Sequence, residues 1–265
     1  GIYMENFMFK KAYGQNFLHD QNVINNIVKG ACIEENSLAI EIGPGAGALT
    51  KELAKVCKNV LCYEIDERLE EILDENLVDY DNVDIIFDDF LKRDIQKDIT
   101  KYDYHKIYVV ANLPYYITTP IIERIIESKI DFESITIMIQ KEVGDRFCAK
   151  PGNKDYSSIT VFLNYFYELK KLFIVNRNSF TPKPNVDSIV INLKSKKERL
   201  YLKNEELFFK LIRDSFKFKR KNIRNNLKSY DLIKIENVLK KYNYDLNVRA
   251  EQLKLEIFVE IANNL

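Results

Sequence analysis

The stretch Leu38-Ala-Ile-Glu-Ile-Gly-Pro-Gly-Ala-Gly-Ala-Leu-Thr50 decides how the rest of this 265-residue chain is read. Residues 38–42 form a short apolar run broken only by Glu41, which suits a buried strand. They lead straight into Gly43-Pro-Gly-Ala-Gly47. Residues 48–57 then carry apolar side chains at three- and four-residue spacing, the period of a helix. Glycines at a strand-to-helix turn let the backbone approach a ligand closely, and the helix N-terminus offers unpaired N–H groups. Nineteen residues beyond Gly45 stands Glu64, at the end of the next apolar run. A carboxylate there can accept both hydroxyl protons of a ribose. Loop and acid together read as a site for an adenosine-containing cofactor. Gly43, Gly45 and Ala48 also satisfy the dinucleotide fingerprint in its Gly/Ala form, so a nicotinamide dinucleotide and S-adenosylmethionine both stay open on this stretch alone.

Outward from the loop, further strand-like runs fall at residues 60–64, 83–87, 107–111 and 135–139, and helical patterns at 67–77 and 119–128. Ahead of the first strand, residues 20–31 place Val23, Ile24, Ile27, Val28 and Ala31 on one helical face. Such alternation specifies a parallel sheet covered by helices on both sides. Residues 187–194 alternate apolar and polar, as a strand near a sheet edge does. After Lys194 the strand signal stops. Residues 205–216, 220–228, 232–242 and 249–263 read as four helices with lysine-rich exposed faces, so a domain boundary is expected near residue 195, dividing the chain into 1–194 and 195–265.

Composition narrows the class. Hydrophobic residues make up 46% and charged residues 30%, and 16 Phe with 16 Tyr can bury a substantial core, which argues against disorder. The longest uncharged run, residues 107–122, is shorter than the ~20 residues of a membrane span and contains Pro114 and Pro120. The first residues lack the long apolar stretch of a signal peptide. Cys32, Cys57, Cys62 and Cys148 fall at no metal-ligand spacing, and His19 and His105 are the only histidines, so neither a metal site nor a disulfide framework is expected. Reduced cysteines suit a cytoplasmic protein. Forty basic and forty acidic residues balance to zero, yet residues 194–228 hold 13 Lys or Arg against four acids. That local excess of nine positive charges can bind phosphate on a neutral protein, because only the field within about 8 Å matters at physiological salt.

Two further segments carry chemistry. Phe87-Asp88-Asp89-Phe90 follows the third strand, where Asp89 could accept a hydrogen bond from an adenine amine. Val109-Val-Ala-Asn112-Leu-Pro-Tyr-Tyr116 closes the fourth strand and delivers an amide, a carbonyl fixed by the following proline, and an aromatic ring to the mouth of the same crevice. Methylation of an exocyclic amine needs such a set. The adenine N6 lone pair is delocalised into its ring; acceptors at the Asn112 side chain and the Leu113 carbonyl can bond both N–H groups and favour a pyramidal nitrogen aimed at the methyl. Tyr115 would stack on the base. The work is positioning and electrostatics, with no covalent intermediate.

On these residues the sequence resembles a known family. Lys11-Ala-Tyr-Gly-Gln-Asn-Phe-Leu18, Glu41-Ile-Gly-Pro-Gly-Ala-Gly-Ala-Leu-Thr50, Asn112-Leu-Pro-Tyr115, Phe180-Thr-Pro-Lys-Pro-Asn-Val-Asp-Ser188 and Arg220-Lys-Asn-Ile-Arg-Asn-Asn-Leu227 are similar to five motifs, in order, of the small-subunit ribosomal RNA adenine N6,N6-dimethyltransferases. Arg249-Ala-Glu-Gln-Leu253 extends the likeness nearly to the C-terminus. Departures are small: Tyr13 stands where phenylalanine is common, Ala46 where a bulkier residue is frequent, and Ser157 where glycine is usual.

The resemblance implies a class I methyltransferase: a Rossmann-like α/β fold with a mostly parallel seven-stranded sheet and a small all-α C-terminal domain that binds RNA. It implies transfer of four methyl groups from S-adenosylmethionine to two adjacent adenosines in the 3′-terminal hairpin loop of small-subunit rRNA, on a precursor particle, during ribosome biogenesis. Cofactor contacts are expected at Asn16, Leu18, Gly43, Gly45, Glu64, Asp89 and Asn112. Asn112, Leu113, Pro114 and Tyr115 are the catalytic set, and Phe180 would sandwich the target base against Tyr115. Lys217, Lys219, Arg220, Lys221 and Arg224 are expected to hold phosphates without reading sequence. Nothing in the sequence demands a metal or more than a monomer. Three alternatives stand beside this reading: a large-subunit rRNA methyltransferase conferring macrolide resistance, a non-catalytic RNA-binding assembly factor, and a nicotinamide dehydrogenase. Intact Asn112 and Tyr115 argue against the second, and the lack of a hydride-partner acid or base near Asn112 against the third.

Overall fold

The computed structural model describes residues 16–265, with the side chain of Tyr115 outside that description. The first five residues of the Lys11–Leu18 motif, Tyr13 among them, therefore lie outside it as well. A seven-stranded sheet is built from β2 (Ser37–Ile42), β3 (Asn59–Tyr63), β4 (Val83–Ile86), β5 (Lys106–Asn112), β6 (Ser134–Gln140), β7 (Tyr167–Val175) and β9 (Ser188–Ser195), in the order β4-β3-β2-β5-β6-β9-β7. β4, β3, β2, β5 and β6 run parallel, with Ile42 opposite Tyr63 and Ile40 opposite Val109; β9 joins β6 antiparallel, pairing Gln140 with Ser188. Every residue of β2 is buried, as expected of a strand covered on both faces. A separate pair joins β1 (Phe17–Leu18) to β8 (Phe180–Thr181), antiparallel, with Leu18 opposite Phe180.

Strand order reverses between β2 and β5, which opens a crevice outside their carboxyl ends. Helices close the faces. In α1 (Gln21–Ala31), Asp20 caps the N-terminus by accepting from Asn22 N at 3.1 Å, and Ile24, Ile27 and Ala31 face the core. α2 (Ala48–Val56) begins directly after Gly47 and buries Leu49, Leu53 and Ala54 in the same apolar cluster. α3 (Glu70–Asn76), α4 (Ile95–Asp98) and α5 (Thr118–Glu127) follow β3, β4 and β5. The elements expected from periodicity up to residue 139 are present within a residue or two.

The chain divides differently from the single cut expected near residue 195. One compact unit runs through Gly144 and includes Lys170–Ser195; the other gathers Asp145–Leu169 with Lys196–Leu265. An aromatic cluster explains the difference. Phe162, Tyr165 and Phe166 of α7 (Ser158–Phe166) pack on Phe208 and Phe209 of α8 (Glu205–Ser215), with Phe166 and Phe209 stacked at 5.9 Å. Ser157, the departure from glycine, sits at the N-cap of α7, where its N–H donates to Thr160 Oγ1 at 3.1 Å.

Two expected helices are corrected. Between α6 (Lys141–Phe147) and the C-terminus, the predicted helix over 220–228 shrinks to α9 (Ile223–Asn226), because Asn222 caps it by accepting from Asn225 N at 3.0 Å. Lys217–Lys221 therefore lies in a turn and not on a helix face. Past α10 (Leu232–Lys241), the helix expected from 249 begins later: Ala250–Gln252 is a 3-10 turn, and α11 spans Leu255–Asn264.

Phe208 is fully buried at the centre of the aromatic cluster. Phe208→Ala is expected to cost about 3–5 kcal/mol of stability, read by urea denaturation; a loss below about 1 kcal/mol would mean the cluster does not organise the helical unit.

Candidate active site

A cavity of about 630 Å³ lies at the carboxyl ends of the parallel strands. That is ample for one adenosine-sized cofactor, within the ~300–1,000 Å³ typical of small-ligand sites. The glycine loop forms one wall. Gly45 adopts φ +58°, and a Cβ there would stand 2.8 Å from the Phe17 ring, so only glycine fits. Gly43, at φ +74°, donates its N–H to Tyr63 O at 2.8 Å.

Glu64 is fully buried and ties this wall to the end of β3: Oε1 accepts from Gly45 N at 3.2 Å and Oε2 from Asp66 N at 3.0 Å. The 19-residue spacing seen in the sequence is thus a direct contact across two adjacent parallel strands. Asp89 lines the cavity beyond β4, and its Oδ1 accepts from Leu91 N at 3.0 Å. Sequence reading missed what steadies this turn. Arg93 reaches Asp98 at 2.7 Å and Asp88 at 3.3 Å, and Tyr63 OH donates to Asp98 at 2.9 Å. Asp89's N–H and then Arg93 hold the Asp88 carboxyl below its ordinary range. Burial pushes Asp98 up, but its bonds from Arg93 and Tyr63 bring it below as well. An Arg five residues from each of two acids, Asp88 and Asp98, was the available signal.

Ile65, 54% exposed directly after Glu64, is a second residue not singled out; an apolar side chain lining the crevice beside the Glu64 carboxylate could cover a flat ring. Gln140, half-buried at the end of β6, lines the same cavity.

At the opposite wall, β5 ends in Asn112. Its Nδ2 donates to Asn16 O at 3.4 Å, which commits the amide nitrogen and leaves Oδ1 as the acceptor. Leu113 N donates to Met138 O at 3.1 Å, so the Leu113 peptide is held by the sheet just ahead of Pro114. The β1–β8 pair brings Asn16, Leu18 and Phe180 to this end of the crevice. Phe180 is 4% exposed and belongs to the apolar core cluster while also lining the cavity, so most of its ring packs against the protein. The Tyr115 side chain lies outside the described residues.

The charges of the lining separate the two cofactors left open by the glycine loop. Glu41, Glu64, Asp88 and Asp89 line the cavity, and among the described lining residues there is no Lys or Arg. A pyrophosphate would rely on the loop and helix N–H groups alone. A sulfonium and an ammonium meet the charge they require. The residues fit S-adenosylmethionine. Lys217, Lys219, Arg220, Lys221 and Arg224 belong to the other compact unit, where all five are exposed.

The comparisons agree. The profile described as "Ribosomal RNA adenine dimethylase" matches residues 6–265. The chain belongs to this family. It is 44% identical over 98% of its length to "Ribosomal RNA small subunit methyltransferase A" of Macrococcus caseolyticus, covering 90% of that protein, and 45% identical to the protein of the same name from Bacillus cytotoxicus, covering 92%. Among solved structures it resembles a dimethyladenosine transferase from Plasmodium falciparum, with a TM-score of 0.78 and 26% identity over 92% of this chain and 95% of that one. It also resembles the 23S rRNA methyltransferase ErmE, with a TM-score of 0.74 and 27% identity over 94% and 99%. Its fold is that of the class I methyltransferases, and its cofactor is S-adenosylmethionine.

Glu41, beneath the loop, is 1% exposed and accepts from Thr50 Oγ1 and from Cys62 Sγ at 3.6 Å. Burial pushes its pKa up to about 7; those two bonds oppose the rise and the nearby Glu64 adds to it. A carboxyl whose folded pKa lies above its unfolded value favours the fold below the unfolded pKa and loses that contribution as pH rises through the folded one. Glu41→Gln is therefore expected to melt increasingly above the parent as pH rises from about 5 to about 8. Parallel melting curves across that range would contradict it.

Proposed function

We propose that this chain dimethylates N6 of two adjacent adenosines in the 3′-terminal hairpin loop of small-subunit rRNA, four methyl groups in all. It acts as a cytoplasmic monomer on a precursor of the small subunit. The chain is an S-adenosylmethionine-dependent rRNA adenine dimethyltransferase. Choice of the small subunit is supported by relatives at 44–45% identity that carry that name, against 27% for ErmE. Among the described residues no helix is long and apolar enough to cross a membrane.

One observation carries the reaction: a crevice that, among its described residues, is acidic and has no Lys or Arg, with the Asn112 amide and the Leu113 peptide fixed at its mouth. When bound, S-adenosylmethionine supplies an electrophilic methyl on a sulfonium. Glu64 would hold its ribose, and Asp89 would accept from its adenine amine. Asn112 Oδ1 and the Leu113 carbonyl accept the two N6 hydrogens of the target adenine. This withdraws the lone pair from the ring and directs it at the methyl. The cofactor would supply the methyl and depart as a neutral thioether, while Asn112 Oδ1 and the Leu113 carbonyl hold the N6 hydrogens until the positively charged nitrogen sheds one to water. Tyr115 stacks on the base, which leaves a single-stranded loop at less cost than a duplex, while Phe180, packed in the core, would have to turn outward to reach it. Lys217, Lys219, Arg220, Lys221 and Arg224 hold the RNA backbone.

Asn112→Ala is expected to lower turnover at least about 100-fold on unmodified small subunits while particle binding without cofactor is retained. Turnover equal to the parent would refute this mechanism.

A further inference from the structure

A second cavity, of about 390 Å³, is lined wholly by residues of the helical unit and shares none with the first cavity. Arg146, Lys154, Lys219 and Lys221 line it together with Phe218. Arg146 stands in the last turn of α6, Lys154 in the segment after it, and Lys219 and Lys221 in the turn before α9, so the chain converges on the cavity from positions about 70 residues apart. None of the four is paired with a carboxylate among the described residues. Four cations outnumber the two carboxylates of the same lining, Asp155 and Glu251, and an anionic ligand relieves the remaining repulsion.

The walls are fixed in advance. Asn226 holds the 216–221 turn from inside: its Oδ1 accepts from Phe218 N at 3.2 Å, while its Nδ2 donates to Phe218 O at 3.1 Å and to Ser215 O at 2.9 Å. On the other side, Gly152 N donates to Glu251 O at 2.7 Å, and Tyr156 OH to Leu253 O at 2.7 Å. Phe216 is packed on Tyr156 and Phe258, but Phe218 is 58% exposed at the rim with Lys217 Nζ 5.6 Å from its ring centre. A pinned backbone presenting a bare aromatic ring beside unpaired cations is the composition of a base-stacking site. Asp155 and Glu251 add acceptors in the same lining, Glu251 with Arg249 at 4.0 Å. Those acceptors suit ribose hydroxyls, which DNA lacks at the 2′ position.

We propose that this cavity seats a single unstacked ribonucleotide of the rRNA substrate, its base on Phe218 and its phosphate among Arg146, Lys154, Lys219 and Lys221. The site is separate from the one that receives the target adenosine. The inference rests on the reading of the helical unit as RNA-binding, and it adds Phe218, Arg146 and Lys154 to the expected contacts. It also gives the exposed phenylalanine a role that charge alone does not.

The test measures binding of the full-length protein to unmodified small subunits over a range of salt. Three variants are compared: Phe218→Ala, the double variant Arg146→Gln with Lys154→Gln, and Arg220→Glu, which lies outside the cavity lining. Phe218→Ala is expected to weaken binding about tenfold with an unchanged salt slope, and Phe218→Tyr to restore it. The double glutamine variant is expected to weaken binding with a shallower slope. Ultraviolet cross-linking of the parent should attach one ribonucleotide to the peptide containing Phe218. If Arg220→Glu weakens binding while Phe218→Ala and the double variant bind as the parent does, the cavity is not a nucleotide site and the wider RNA-binding reading survives. If no variant weakens binding, both fail.

Discussion

The hydrogen bond from Gly45 N to Glu64 Oε1 joins the two halves of the active crevice, and most of the site depends on it. It forms because β2 and β3 are parallel neighbours in register, with Ile42 opposite Tyr63, so the residues just beyond each strand meet. Glycine at 45 is required on two counts, its positive φ and the Phe17 ring against it. The carboxylate is required because a buried amide at a helix approach needs an acceptor, and a charged one is stronger. Asn112 then arrives from β5 on the other side of β2. Its own amide is turned by Asn16, which the β1–β8 pair carries in. Four segments distant in sequence are thus brought to one strand-order reversal.

Charge is distributed by task. The chain is neutral overall, yet the crevice at the strand ends is lined by Glu64, Asp88 and Asp89 with the buried Glu41 and, among its described residues, by no Lys or Arg, while residues 194–228 carry nine excess positive charges. A neutral total therefore conceals two opposite local fields. The first suits a cationic methyl donor and the second a polyanion. Burial adds a further constraint under the loop, where Glu41 is kept by Thr50 and Cys62 in a place that favours its protonated form.

Much of this was legible in the sequence because short-range patterns control it. Apolar runs gave the parallel strands, glycines gave the loop, and the interval from Gly45 to Glu64 became a contact. What escaped depends on pairing over long range. Asn16 and Leu18 had no local signal; their place comes from a two-residue strand pairing with Phe180 and Thr181. The Arg93–Asp98–Tyr63 network needed β3 and the α4 region to be brought together. Residues 145–169 looked like a continuation of the sheet unit, and only the aromatic packing of α7 on α8 assigns them elsewhere. A helix is expected from Arg220 on composition, but the Asn222 cap starts it at Ile223 and leaves Arg220 and Lys221 in the same turn as Lys217 and Lys219.

Incubation of the protein with radiolabelled S-adenosylmethionine and unmodified ribosomal subunits, followed by digestion and mapping, tests the central claim most directly. The account predicts two methyl groups on each of two neighbouring adenosines near the 3′ end of small-subunit rRNA, with large-subunit RNA unlabelled. Label confined to large-subunit RNA, or no transfer to either subunit by protein that binds the cofactor, would contradict it.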